Sequence, residues 1–508
     1  MSFIWGSRAR VPVILALMCS LLLALGSSAL VLAAEQLTQI SSDPYTNPTS
    51  NHKTQVEPDA FAFGNTIVSA FQSGRFFDGG ASNIGFATST NGGETWTHGF
   101  LPASTVYATP AGPYARASDP SVAYDARHKV WLISWLGIIN PAGPVDVDVS
   151  RSTDGGLTWS APVKVNATGQ FNDKNWTTCD DTATSPFYGH CYTEFDVASN
   201  LNRVQISVST NGGVSWSAPR TTPDHTCVIG GQPLVQPNGT LIMPIDDCFE
   251  TAIFSIISTN GGQTLQKPVL AAQIFNDGNP GNLRSPDLPS AQIDKSGRVY
   301  VVWSDCRFES ACSAPIGTND LLLTTSSDGV HWTLPKRIPT APVGSGADFF
   351  LTGLGVDRST SGGSAHLGLV YYYYPDSTCT SNCLLNVGFI SSTNGGNSWS
   401  APEQLAGPMQ LPWLPLTTQG FMVGDYFATA IVPGDDDAQP VFMVAFAPTP
   451  PPSCSNLTTG APGQGCHQAT YTTPEDLLKI VGGSNAAIDT GAGNVTKNRG
   501  QTAPATAY

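Results

Sequence analysis

Arginine and aspartate recur along this chain in a fixed relation. Arg116 and Arg284 each stand three residues before an acid, in Arg116-Ala-Ser-Asp119 and Arg284-Ser-Pro-Asp287. Asp59 in Glu57-Pro-Asp59 and Asp425 in Gly424-Asp-Tyr426 open similar stretches, and Asp173-Lys-Asn-Trp176 takes that place in between. A second set follows apolar runs: Arg75 with Asp78, Asp246 with Asp247, Asp305 with Arg307, and Tyr374 with Asp376. A guanidinium can clasp a carboxylate through two parallel hydrogen bonds, and paired carboxyl groups can do acid–base work. The alternative is structural: such an Asp can instead accept hydrogen bonds from loop N–H groups, and such an Arg can pair with a neighbouring Asp. Other chemistries lack their residues. There is no Gly-x-Ser-x-Gly elbow and no His-Glu-x-x-His helix, and Asp435-Asp-Asp437 reads as a solvated turn.

The elements that must position these residues are set by a repeat. One phrase recurs six times: Ser89-Thr-Asn-Gly-Gly-Glu-Thr-Trp96, Ser152–Trp159, Ser209–Trp216, Ser258–Leu265, Ser326–Trp332 and Ser392–Trp399. Its acid or amide steps from 91 to 154, 211, 260, 328 and 394. Asn or Asp bonds the backbone just ahead, glycine supplies a positive φ, and the Trp returns to bury its ring. Before each turn the pattern has period two, as in Val145-Asp-Val-Asp-Val-Ser and Arg203-Val-Gln-Ile-Ser-Val. Further upstream lie two more strand-like runs, such as Ser121-Val-Ala-Tyr124 and Val130–Trp135. Each unit therefore reads as a four-stranded antiparallel sheet with the phrase between its third and fourth strands, and the whole as an all-β propeller.

Composition agrees. Of 508 residues only 12% are charged, while 51 Gly and 39 Pro supply turns. The net charge of −15 excludes nucleic acid as a main partner, since phosphate binding needs clustered Lys and Arg. Residues 1–34 read as a signal peptide: Arg8 and Arg10 precede an apolar run from Val11 to Leu32, with Val31-Leu32-Ala33 at the cleavage site. That run is long enough to span a bilayer, so an uncleaved anchor is the alternative to secretion. After cleavage no stable membrane insertion is expected. Ten further cysteines suit an oxidising compartment, and neighbour pairing that closes short loops is expected: Cys179/Cys191, Cys227/Cys248, Cys306/Cys312, Cys379/Cys383 and Cys454/Cys466. No metal and no cofactor is called for. A monomer is expected.

The repeated phrase resembles the Asp box, or BNR repeat, of sialidase-like β-propellers. The fourth copy departs by ending in Leu265, the fifth lacks one Gly, and four of the six carry Asn for Asp. Sialidases of this family have six blades. Here Gly424–Val432, Val441–Phe446, His467–Thr472 and Gln36–Ile40 are left over, and they predict a closing blade shared by both chain ends. Seven blades are favoured over six. The propeller is expected over 35–474, with 475–508 a flexible tail.

The resemblance implies a ligand mouth on the face opposite the boxes, where Asp59, Asp119, Asp287, Asp425, Arg75, Arg116, Arg284, Arg307 and Trp176 would converge. Catalytic sialidases use an arginine triad, a Tyr nucleophile assisted by Glu, and an Asp acid/base. By that comparison Tyr426 is a candidate nucleophile beside Glu57, with Asp119 the acid. The Phe-Arg-Ile-Pro-like motif of those enzymes is missing; the corresponding region reads Gln55-Val-Glu-Pro-Asp59. The resemblance thus implies an exo-acting glycoside hydrolase on sialylated or related glycans. The alternative is a non-catalytic propeller that binds glycans or proteins.

Overall fold

Short alternating runs parted by Gly-, Asn- and Asp-rich turns satisfy their backbone groups by pairing with sequence neighbours. The computed structural model describes residues 1–2, 37–310, 312, 317–463 and 465–489, and it is an all-β propeller. Helix among the described residues is confined to three-residue 3-10 turns. No helix there is long and apolar enough to cross a membrane.

Each unit runs from an innermost strand outward. The innermost strands touch in succession: Gln55–Phe63, Arg116–Asp125, Asn172–Cys179, Leu234–Val235, Ser290–Ile293, Asp348–Val356 and Ala428–Ile431, which returns to Gln55–Phe63. Closure uses both chain ends, as expected. Thr38–Gln39 pairs with Gln468–Thr472, which pairs with Ala438–Ala445, which pairs with Ala428–Ile431.

The expectation of seven uniform four-stranded blades, favoured over six, is corrected by the hydrogen bonding. Sheets of blade size number five among the described residues, with three to five strands each. Residues 55–166 instead form one eight-stranded sheet, because Ala81 pairs with Ala117 across what would be a blade boundary. The sheet of the third box keeps three strands: beyond Trp216 the chain meets it only in isolated bridges, Ile206 to Arg220 and Arg203 to Cys227. In the next sheet the innermost run is split into Val228–Ile229 and Leu234–Val235, on either side of Gly230-Gly231.

The six boxes share one geometry. The opening Ser Oγ accepts the N–H of the second glycine at 2.9–3.0 Å in five copies, and of Gly329 at 2.8 Å in the shortened fifth. In five copies Asn or Asp accepts the N–H four residues on, as in Thr95 to Asn91 at 3.1 Å and Thr158 to Asp154 at 3.0 Å, and in the fifth Asp328 accepts His331 N–H at 2.8 Å. The second glycine presses on the preceding sheet. A Cβ on Gly156 would lie 2.7 Å from Val68 Cγ2, and one on Gly93 would lie 2.8 Å from Gln439 of the closing sheet. Boxes thus couple each unit to the one before it.

A second tie lies near the axis. Asp59 accepts Val122 N–H at 2.7 Å, Ser121 accepts Thr177 N–H at 2.9 Å, Gln232 accepts Ala291 N–H at 2.7 Å, and Ser290 accepts Leu354 N–H at 2.9 Å.

The five disulfides pair as the neighbour spacing predicts: Cys179–Cys191, Cys227–Cys248, Cys306–Cys312, Cys379–Cys383 and Cys454–Cys466. Cys179–Cys191 closes the loop 180–190 at the base of a hairpin. Cys191 opens the strand Cys191–Val197 and stands directly opposite Cys179, with their Cα atoms 4.0 Å apart. It is fully buried, in an apolar cluster with Leu132, Val147 and Phe195. The hairpin pairing continues past the bridge, Asp180 N–H to the His190 carbonyl at 2.8 Å. The Cys179–Cys191 link therefore joins two already paired strands inside the core, and no site chemistry falls to Cys191.

Of the stretch expected as a flexible tail, Asn485–Ala486 pairs with Ser398–Trp399 and Ile488–Asp489 with Lys336–Arg337. Residues 490–508, and residues 3–34 of the expected signal peptide, lie outside the described residues.

Two neighbouring glycines test the box account. Gly155 and Gly156 have φ of 85° and 84°, but a Cβ on Gly155 meets nothing within 4 Å. Gly155→Ala should cost about 1–2 kcal/mol from left-handed strain, and Gly156→Ala a further ~1–3 kcal/mol from overpacking Val68 and Thr88. Guanidinium denaturation of the two variants gives the comparison; equal losses would contradict the inter-sheet role.

Candidate functional site

Bulges aim the side chains of the mouth. Pairing of the innermost strands slips between Val56 and Asp59, between Ser118 and Ser121, between Asp173 and Trp176, and between Phe350 and Thr352. The residues in these slips take left-handed backbone: Glu57 (φ 53°), Asp119 (47°), Lys174 (49°) and Leu351 (52°). Such conformations cost about 1–3 kcal/mol each and persist only where the surroundings over-determine them. Three of the four are charged, and they meet at the axis.

Lys174 Nζ lies 2.5 Å from Asp425 Oδ2, 3.5 Å from Asp119 Oδ2 and 3.9 Å from Glu57 Oε1. Arg284 clasps Asp425 from the other side, Nε to Oδ1 at 2.6 Å and Nη2 to Oδ2. Gly424 is required here, since a Cβ would sit 2.7 Å from the Glu57 nitrogen. Glu57 accepts Gln72 Nε2, and Gln72 Oε1 accepts Arg75 Nη1 at 2.8 Å, so Arg75 reaches the cluster through Gln72.

The charges sort the carboxyl groups. Burial alone would raise Asp425, but Arg284 and Lys174 hold it well below the usual carboxylate range. Burial would lower Lys174, yet Asp425, Asp119 and Glu57 keep its ammonium charged. Burial, then Asp119 and Asp425, push Glu57 up to about 8. Burial and Asp119 push Asp173 up to about 6. Burial and Glu250 hold Asp287 well above the usual carboxylate range.

A cleft of about 890 Å³ opens over this cluster, within the size range of small-molecule sites. Asp173, Lys174, Glu250, Arg284, Asp287 and Asp425 line it, with Phe171, Leu283 and Leu288 supplying apolar wall. Asp287 is only 8% exposed, and its Oδ1 accepts Asn276 Nδ2 and Ser304 Oγ. Glu250 stands on the short loop behind Cys248, in left-handed backbone at φ 52°.

The expected residues do not all converge. Asp119, Asp425, Arg284 and Glu57 meet at the axis, and Asp287 lines the cleft. Asp59 does not; it is the inter-sheet tie to Val122, although burial raises it to about 7. Arg116 binds Asp78 at 2.6 Å and the Gly79 carbonyl at 2.8 Å, with its guanidinium 4.0 Å from the Phe76 ring centre. Arg307 forks onto Asp305 at 2.8 and 2.7 Å. Each of the four arginines is therefore committed to a partner within the protein. Tyr426 is 6% exposed, packs edge-on to Trp176 at 5.1 Å, and donates its hydroxyl to the Pro120 carbonyl at 3.1 Å. Burial, then Glu57 and Asp119, hold it well above the usual tyrosine range, which opposes a nucleophilic role.

Lys174 and Glu250 went unassigned in the sequence. Lys174 occupies the slot held by Glu57 and Asp119 in other units, so a reversed charge hid the equivalence. Glu250 follows Cys248-Phe249, and only the disulfide marks that loop as held.

An all-β propeller built on Asp boxes, with a charged cleft opposite them, is the class this architecture defines. Residues 65–387 match the BNR repeat-like domain, and the chain belongs to that family. A sialidase of Bacteroides fragilis is 28% identical over 162 residues, 26% of this chain and 28% of that protein, so the chain spans about a quarter of its length. A leech intramolecular trans-sialidase, 12% identical, is covered over 70% of its chain and 73% of this one, with a TM-score of 0.45. An intramolecular trans-sialidase of Ruminococcus gnavus is 15% identical over 87% of this chain and 98% of its own, with a TM-score of 0.42.

The buried carboxyls make stability fall as pH rises. Glu57 and Asp148 are raised to about 8, and Asp59, Asp181 and Asp348 to about 7. Groups raised in the folded state bind protons more tightly there, so their stabilisation is present below about pH 4 and lost through pH 7–8. Groups lowered below the usual range, such as Asp154 at about 2, act only at more acid pH. Calorimetric Tm should be higher at pH 5 than at pH 8.5; the reverse order would contradict these assignments.

Proposed function

We propose that this is an exported, glycan-active propeller whose cleft binds a saccharide and cleaves a glycosidic bond by acid–base chemistry. The carrying observation is that one cleft is lined by two carboxyls, Asp173 and Asp287, in surroundings that shift them differently. Burial and Glu250 hold Asp287 well above the usual carboxylate range, while Asp173 is raised to about 6. Carboxyls whose pKa values are driven apart are the signature of an acid paired with a base. Asp287 is assigned to protonate the leaving oxygen and Asp173 to activate water. Asp425, clasped by Arg284 and Lys174, sets the local field without titrating. The stretch similar to a sialidase supports a carbohydrate ligand. Five disulfides support export into an oxidising compartment.

A neutral sugar suits the cleft better than a sialylated one. Sialic acid brings a carboxylate, and the arginines that would receive it are already paired. The same commitment, with Tyr426 capped by Pro120, favours the second reading of a binding propeller without catalysis.

Residues 35–508 assayed against aryl glycosides and a sialoside separate the readings. Neutral glycosides should be turned over, with rates rising through about pH 6. Asp287→Asn and Asp173→Asn should each lose about 10²–10⁴-fold, and Tyr426→Phe should stay near wild type. Turnover of the sialoside alone, abolished in Tyr426→Phe, would overturn this assignment. Saturable glycan binding without turnover would support the second reading.

A further inference from the structure

Three loops that follow second strands, at residues 139–144, 198–202 and 248–251, wall one side of the cleft. Each turns a residue into it: Pro144, Ser199 and Glu250. Each also holds one large apolar side chain in water: Ile139 is 46% exposed, Leu201 76% and Phe249 70%. Single exposed apolar residues need no explanation, but three on successive loops around one cleft do.

The backbone makes the pattern more pointed. Leu201 has φ 59° and ψ 40°, and Glu250 has φ 52°. An L-residue there costs about 1–2 kcal/mol, which Gly would avoid. The loop carrying Phe249 is also fixed from several sides. The Cys227–Cys248 disulfide anchors it, Asp247 accepts Thr251 N–H at 2.7 Å and Thr251 Oγ1 at 2.8 Å, and Glu250 N–H reaches the Asp247 carbonyl at 2.9 Å. Phe249 is thereby held outward.

We propose that Phe249, with Leu201 and Ile139 on the two preceding loops of this kind, forms a platform for sugar rings beyond those held in the cleft, so the ligand is an oligosaccharide that leaves across this rim. The inference rests on the glycan ligand proposed above. A pyranose ring presents C–H groups on one face, which pack on an aromatic or aliphatic surface, while its edge hydroxyls stay in water. A carboxyl-lined floor beside an apolar rim matches that division along a saccharide chain. The ligand class this adds is a chain of several sugars, rather than a single terminal residue.

Calorimetric titration of residues 35–508 with cello-, arabino- and galacto-oligosaccharides of two and six units tests it. For the series that binds, the wild type should hold the six-unit sugar at least about tenfold tighter than the two-unit sugar. Phe249→Ala should erase that difference and leave two-unit binding unchanged, while Phe249→Trp should keep it. Leu334→Ala, at a residue 74% exposed beyond the fifth box, should change neither. A length preference that survives in Phe249→Ala overturns the platform and leaves the glycan reading standing. A wild type that binds none of the sugars overturns both.

Discussion

A lysine ammonium buried among three acidic side chains is the constraint on which the rest of this structure depends. Lys174 is 8% exposed and reaches Asp425, Asp119 and Glu57, which come from three different units. Asp425 lies near the end of the propeller and Glu57 near its beginning, so the cluster exists only when the ring is closed. Closing the ring without the lysine would bring acidic groups together with one fewer counter-charge in a medium that screens poorly. Removing one partner from such a buried set typically costs about 3–5 kcal/mol, even where the set adds little net stability. The cluster therefore specifies closure more than it strengthens it.

The two faces divide the work. On one, the Asp boxes use glycine and a serine–asparagine turn to dock each sheet on its predecessor, including Gly93 on the closing sheet. On the other, the strands bulge and the backbone takes conformations that stability alone would not select. Four of the five disulfides involve loops that follow second strands on this second face, at Cys248, Cys306–Cys312, Cys379–Cys383 and Cys454–Cys466. Loops of that kind have few backbone bonds of their own, and covalent closure compensates. The fifth, Cys179–Cys191, lies between paired strands instead.

Much of this was legible in the residues, for identifiable reasons. The box is a local device, with every hydrogen bond made within a few residues, so six copies declared the propeller. The disulfides join cysteines close in sequence, so their pairing was equally open to reading, although the burial of Cys191 in the core was not. Closure by both ends followed from strand-like runs left without a box. The strand count per sheet did not, because it turns on single pairings such as Ala81 with Ala117 and on the split at Gly230-Gly231. Of the residues expected at the mouth, the fold brings some together and separates others. Asp119, Asp287, Asp425, Arg284 and Glu57 were placed at the mouth, whereas Asp59 differs from Glu57 by two positions and so serves another purpose across the bulge. Pairing between distant residues was out of reach: Arg284 with Asp425, Arg116 with Asp78 and Lys174 with all its acids are contacts that only the closed ring creates.

The central claim is that one cleft keeps an ionised carboxylate beside a protonated one. Infrared difference spectra of the wild type against Asp425→Asn and against Asp287→Asn, taken at pH 7, test it directly. Asp425→Asn should remove intensity from the carboxylate stretch, and Asp287→Asn should remove intensity from the protonated carbonyl stretch. Loss from the carboxylate band in both variants would mean that the cleft does not separate its carboxyls, and the acid–base account would fail.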